Sequence, residues 1–212
     1  MFFGLFLLGL FVVNLTFASK CAENDISKVN TCFETFQHEI FEKYNISHLM
    51  EYYAGYKIKT KEWEGIEEIC NALKPLQKCL GKEIIENCIN YNDFSFDKSE
   101  KINRFYVSHF LQIDYYCSNG YEILKNNFDC LMKDVKMPLF KNHKYCDARL
   151  QQIEIKTYFM KMFCESKEAA CFTKTFETFE LCSMKCKICK NLNKVTVEKI
   201  CDDIFDGNEK MF

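Results

Sequence analysis

Apolar residues recur every three or four positions along most of this chain, the spacing of an amphipathic α-helix rather than the alternation of a strand. One stripe runs through Ile26, Val29, Phe33, Phe36, Ile40 and Tyr44. A second begins near Thr60 and carries Trp63, Ile66, Ile69 and Leu73. Pro75 is expected to end it or to open the next turn, because proline donates no helical hydrogen bond. Ile84, Ile85, Cys88 and Ile89 follow Gly81 as a short helix. The stretch NYNDFSFDKSE at 90–100 reads as a loop, with Asp97 or Ser99 placed to cap the next helix. Ile102, Phe105, Tyr106, His109, Phe110 and Ile113 then repeat helically, and SNG at 118–120 marks a turn. Ile123, Leu124, Phe128, Leu131 and Val135 form the next amphipathic run, and three further helices are expected over 145–165, 168–190 and 196–205.

Turn residues are scarce. After residue 18 there are five glycines and two prolines, and none of either between Pro138 and Gly207. That scarcity argues against a sheet. The pattern predicts an all-α, disulfide-rich, irregular helical bundle of about six to eight helices.

The first 18 residues are different. MFFGLFLLGLFVVNLTFA has no charged side chain, and its apolar core from Phe2 to Val13 has signal-peptide length and is short for a membrane span. Thr16 and Ala18 are small enough for the −3 and −1 positions of a cleavage site. Residues 1–18 are therefore expected to be a cleaved signal peptide, with 19–212 forming one extracellular domain. No later segment is apolar enough to span a bilayer, so the product is expected to be released.

All 14 cysteines lie beyond that cut. In an oxidising compartment an even count reads as up to seven disulfides. Five precede the 90–100 loop and nine come after it. Both numbers are odd, so full pairing needs at least one bridge across the loop and ties the chain into one unit. Cys21 and Cys32 are eleven residues apart. On one helix that separates them by about 16 Å, beyond the roughly 7 Å that disulfide Cα atoms allow, so each must bond elsewhere. Cys171 and Cys182 have the same spacing, with Cys164 seven residues earlier. A continuous helix would align these three, with Cys186 and Cys189 close by. Cys21/Cys32 and Cys171/Cys182 are then candidate rungs of one ladder.

The cysteine order is C-x10-C (Cys21, Cys32), C-x8-C-x8-C (Cys70, Cys79, Cys88), C-x12-C (Cys117, Cys130), Cys146, C-x6-C-x10-C (Cys164, Cys171, Cys182) and Cys201. With CLGKEIIENC, CSNGYEILKNNFDCL and CFTKTFETFELC, it resembles the nematode secreted cysteine-rich family called domain of unknown function 19, over about 21–201. The resemblance implies an extracellular helical module with a twelve-cysteine disulfide framework and no established activity. Cys186 and Cys189 stand outside that framework and read as an added pair, most simply one extra bridge between residues i and i+3.

Those two belong to CSMKCKIC, residues 182–189, which read alone suggests other chemistry. C-x3-C-x2-C has the spacing of a three-thiolate iron–sulfur site, and CKIC that of a redox pair. Neither the reducing compartment nor the strand-containing fold that such sites use is indicated. Zinc wants four ligands, and no histidine lies beyond His143. Structural disulfides are the expected use.

Basic and acidic residues nearly balance, 28 against 30, without long runs. This excludes the basic footprint of a nucleic-acid binder. Glu34, His38 and Glu42 recur every four residues, opposite the Phe33/Phe36 stripe, as a solvated face. Ser108 and His109 are neighbours that a helix turns about 100° apart, so they form no nucleophile–base pair. No G-x-S-x-G, H-E-x-x-H or phosphate-cradling glycine loop occurs. No catalytic, cofactor-binding or metal-ligating residue is nominated, and the protein is expected not to be an enzyme. Tyr52, Tyr53 and Tyr56 lie in the longest cysteine-free interval and are a candidate partner surface. Asn45 heads an N-I-S glycosylation sequon. The expected function is binding an extracellular protein or matrix partner. The alternative is carriage of a small apolar ligand in an inter-helical cavity, which needs roughly 300–1,000 Å³.

Overall fold

The structure, a computed structural model, describes residues 21–44, 62–133, 145–186 and 189. Among the described residues there are seven helices and no strand. They are α1 (Glu23–Tyr44), α2 (Trp63–Leu80), α3 (Lys82–Cys88), α4 (Glu100–Cys117), α5 (Tyr121–Leu131), α6 (Tyr145–Phe163) and α7 (Lys167–Cys182). The all-α, disulfide-rich bundle agrees with the periodicity. The helix expected over 196–205 lies outside the described residues, as do Val135 and the side chains of Ile40 and Tyr44.

Helix α1 buries Val29, Cys32, Phe33 and Phe36 against α2 and α3. Phe33 anchors an aromatic cluster, with ring centroids 5.2 Å from Phe94, 6.0 Å from Tyr106 and 5.9 Å from Phe110. Edge-on contacts of this kind add to plain area burial. Helix α4 runs through the centre and packs on α2, α5 and α7. It therefore buries nearly all of its circumference, polar residues included: Asn103, Arg104, Ser108, His109, Gln112 and Asp114 are all buried. Ser99 caps it, accepting from Ile102 N–H at 3.5 Å, and Asp97 accepts from Ser99 N–H at 2.7 Å. Gly120 opens α5 where a Cβ would stand 2.9 Å from the Tyr115 ring and carbonyl and 3.0 Å from Phe172, closer than packed atoms tolerate. Helices α6 and α7 form a hairpin through 164–166, and Ser166 caps α7 by accepting from Ala169 N–H at 3.1 Å.

Pro75 neither ends α2 nor opens a new turn; it lies inside the helix on its exposed side. The apolar face continues past it through Leu76 and Leu80, both buried. Bridges from Cys70 and Cys79 hold the helix on either side of the proline. Helix α2 stops instead at Gly81, whose φ of 78° suits a residue without Cβ.

Six disulfides are placed: Cys21–Cys88, Cys32–Cys79, Cys70–Cys117, Cys130–Cys164, Cys146–Cys186 and Cys182–Cys189. Cys171 is also disulfide-bonded, and Cys201 lies outside the described residues. Cys21 and Cys32 each bond elsewhere, to α3 and α2, and Cys70–Cys117 crosses the 90–100 loop.

Two expectations are corrected. Cys186 and Cys189 are not joined to each other: Cys186 reaches back to Cys146, and Cys189 bonds to Cys182 at a sequence separation of 7. The single ladder also fails, because Cys182 bonds locally. The physical reason is that 164–189 is not one helix. The chain breaks at 164–166, where Glu165 has φ 49°, and again after Cys182, where Lys185 has φ 58°. The helix expected over 168–190 thus ends at Cys182, and the common stripe it would have created does not exist.

Candidate functional site

The Tyr52, Tyr53 and Tyr56 surface, the Asn45 sequon and the 1–18 segment lie outside the described residues. His38 Nδ1 stands 3.6 Å from Glu42 Oε2 with both side chains exposed, the solvated face expected. Ser108 and His109 diverge. Ser108 Oγ donates to the Phe179 carbonyl at 2.7 Å, whereas the buried His109 ring packs edge-on to Phe105 with centroids 4.1 Å apart. In the CSMKCKIC stretch, Cys182, Cys186 and Cys189 are disulfide-bonded and almost wholly buried. Among the described residues, no group of His, Cys, Asp and Glu is arranged to hold a metal, and no helix is long and apolar enough to cross a membrane.

Two surface features stand out, and the hydrophobic pattern pointed to neither. The first is a polar cavity of about 230 Å³ between the 90–99 loop and the first turns of α4. Asn90 folds the loop on itself. Its Oδ1 accepts from the N–H groups of Asn92 and Asp93 at 2.9 Å, and its Nδ2 donates to Asn87 O at 2.8 Å. Asn103 pins the other end, accepting from Phe96 N–H at 3.1 Å and Asp97 N–H at 2.6 Å while donating to Asp97 O at 2.7 Å. Tyr91 is buried at the back, its hydroxyl 3.1 Å from Ser108 Oγ and 3.2 Å from the Phe179 carbonyl oxygen, to which it donates. Burial pushes that phenol well above the ordinary tyrosine range, with the adjacent Ser108 hydroxyl and the nearby Arg104 charge working against it.

Arg104 lines this cavity with only 8% of its side chain exposed. Its Nε donates to Glu100 Oε1 at 3.1 Å, and its buried Nη1 has no acceptor. Lys185 Nζ donates to the other Glu100 oxygen at 2.7 Å, bringing the CSMKCKIC turn to the rim. Lys185 first, and Arg104 second, hold the Glu100 carboxyl below the usual carboxylate range. The buried Glu177 on α7 lies 3.2 Å from Arg149 and also binds Lys156, both on α6.

The second feature is an aromatic and methionine ridge on the C-terminal half of α6. Ile153, Thr157 and Met160 face the core, yet Tyr158 (45% exposed), Met162 (47%) and Phe163 (61%) face outwards. The helix is therefore apolar on two sides, where a surface helix normally has one apolar stripe. The Phe159 and Phe163 rings stack with centroids 5.8 Å apart. Phe163 also borders an open groove of about 520 Å³, shared with Trp63, Phe128 and the Cys130–Cys164 disulfide but also with Lys125 and Asp129.

Compared with known proteins, the chain matches no family model, no curated protein and no solved structure.

Proposed function

We propose that this protein is a secreted, disulfide-stapled, non-catalytic module that binds an extracellular protein or matrix partner, with the α6 ridge as its contact face. The observation that carries this reading is the outward-facing group Tyr158, Met162 and Phe163. Contiguous exposed apolar surface marks interaction sites, and aromatics and methionine are enriched in interface cores. Disulfides bracket the ridge: Cys146 lies at the start of α6, and Cys164 comes directly after its last residue. A face held this firmly loses little freedom on binding. The paired cysteines, and the cysteine order resembling domain of unknown function 19, support an extracellular place of action and a signal peptide ending at Ala18.

The test is a photo-reactive phenylalanine analogue at Phe163 in the secreted, glycan-bearing protein, irradiated in the extracellular fluid that receives it. One discrete cross-linked partner, lost on Met162→Ser together with Tyr158→Ser, is expected. Only self-adducts, or adducts indifferent to those changes, would reject the ridge. Intact mass of the same product should begin at Ser19 and include a glycan at Asn45.

A second reading, carriage of a small apolar ligand, is favoured by the Trp63/Phe128/Phe163 groove, whose volume of about 520 Å³ lies within the range of ligand pockets. Native mass spectrometry that finds an apolar molecule retained on the secreted protein would move the assignment there.

A further inference from the structure

The chain has fourteen cysteines. Twelve of them make up the six placed bridges. Cys171, near the start of α7, is also disulfide-bonded within this single chain, and no described cysteine is free. Of the fourteen, only Cys201 is then left to be its partner.

We infer that Cys171 and Cys201 form a seventh disulfide, which clasps the C-terminal part of the chain to α7 at a second point. An observation independent of the count favours the same pairing. C-x10-C occurs twice, each time with a helix between its cysteines. At Cys21 and Cys32 the bridges are nested: Cys21 bonds to the more distant Cys88 and Cys32 to the nearer Cys79, so the partner stretch runs antiparallel to α1. At Cys171 and Cys182 the inner bridge is already in place, from Cys182 to the nearer Cys189. A bond from Cys171 to the more distant Cys201 nests around it in the same way. The result is two separate nests, one on α1 and one on α7.

The geometry allows it. Eleven residues of helix return to within about 20° of the same face, about 16 Å further on. Twelve residues separate Cys189 from Cys201, enough to cover that distance whether helical or extended. Cys171 and Cys182 share a face of α7 that its other contacts do not use. Phe172 and Phe179 meet Tyr115 of α4, while Lys174 and Glu177 pair with Glu154 and Arg149 of α6. The two bridges close 171–182 and 189–201 into one covalent ring. A single cut after Lys190, Lys194 or Lys199 would therefore open the backbone without releasing residues 200–212.

Tryptic mapping without reduction tests the pairing, because lysines divide the cysteines concerned. Cys171 falls in peptide 168–174, Cys182 in 175–185, Cys186 in 186–187, Cys189 in 188–190 and Cys201 in 200–210. The secreted protein is capped with N-ethylmaleimide, unfolded in urea and digested at mildly acidic pH, where too little thiolate is present for bridges to exchange. A species joining 168–174 to 200–210, resolved into those two peptides by reduction, is expected. Cys201 carrying maleimide, or 200–210 joined to any other peptide or to a second copy of itself, would overturn the bridge. Cys201→Ser should expose one thiol in urea, on peptide 168–174, and a thiol on any other peptide would count against it. The wild-type map decides the matter even where that variant does not fold. No partner is needed and the α6 ridge is not involved, so the result is independent of the proposed function.

Discussion

Ser108 Oγ donates to the main-chain carbonyl oxygen of Phe179 at 2.7 Å, joining α4 to α7 across 71 residues of sequence. Phe179 is among the last four residues of α7, whose carbonyls have no partner within the helix. Tyr91 donates to the same oxygen at 3.2 Å. Two hydroxyls from outside thus satisfy a helix end that would otherwise be buried unpaired.

Removing them should be more costly together than apart. Ser108→Ala and Tyr91→Phe are each expected to cost about 1 kcal/mol, because the remaining hydroxyl still serves the carbonyl. The double variant leaves a buried acceptor unpaired and should exceed the sum by about 1 kcal/mol. Guanidinium denaturation of the four proteins in the cycle measures the coupling, and strict additivity would contradict the shared-acceptor geometry.

Glu100 predicts an acid dependence. Lys185 and Arg104 lower its folded-state pKa, so the unfolded state binds its proton first as pH falls. The stability it contributes is complete above the unfolded carboxyl value, about 4.3, and is lost as pH drops through the folded value. Urea midpoints of Glu100→Gln should match wild type near neutrality within the small effect typical of an exposed pair. They should then fall less steeply than wild type below about pH 4.5. Parallel curves would show that the contact with Lys185 is not maintained in solution.

Pro75 interrupts the hydrogen-bond ladder of α2 on its exposed side. Pro75→Ala restores a donor and removes a ring clash, worth about 3 kcal/mol in a helix interior. The looser unfolded chain offsets about 1 kcal/mol of that. A net gain of about 1–2 kcal/mol in chemical denaturation is expected; a loss would mean that the proline sets a bend the packing needs.

The disulfides should differ by the loop each closes. Loop-closure entropy assigns about 4 kcal/mol to Cys70–Cys117, with its separation of 47, and about 2 kcal/mol to Cys182–Cys189, with its separation of 7. Paired alanine substitutions should therefore lower the melting temperature more for Cys70/Cys117. Equal losses would indicate that burial of Cys182 and Cys189 outweighs chain entropy.

How far the sequence reaches is clear from single residues. Val29, Phe33 and Phe36 announced α1 because a helix buried on one side must repeat its apolar residues every three to four positions. Ser99 and Gly81 marked their boundaries through cap and turn chemistry that acts within a few residues. Odd cysteine counts on either side of the 90–100 loop required a crossing bridge, which is Cys70–Cys117. These are local or arithmetical facts. The partners of Cys186 and Cys189 were not legible, because they depend on two breaks in the backbone, at 164–166 and after Cys182, that bring Cys146 and Cys182 within disulfide reach. Nothing in the helical pattern over 102–113 distinguishes Arg104 from any other polar residue. Only the packing of α4 on three neighbours, the loop folded by Asn90 and Asn103, and the approach of Lys185 bury it with donors to spare. Periodicity records which face of an element avoids water. Which groups meet across that face is decided by contacts between residues far apart in the chain, and those exist only once the tertiary structure has formed.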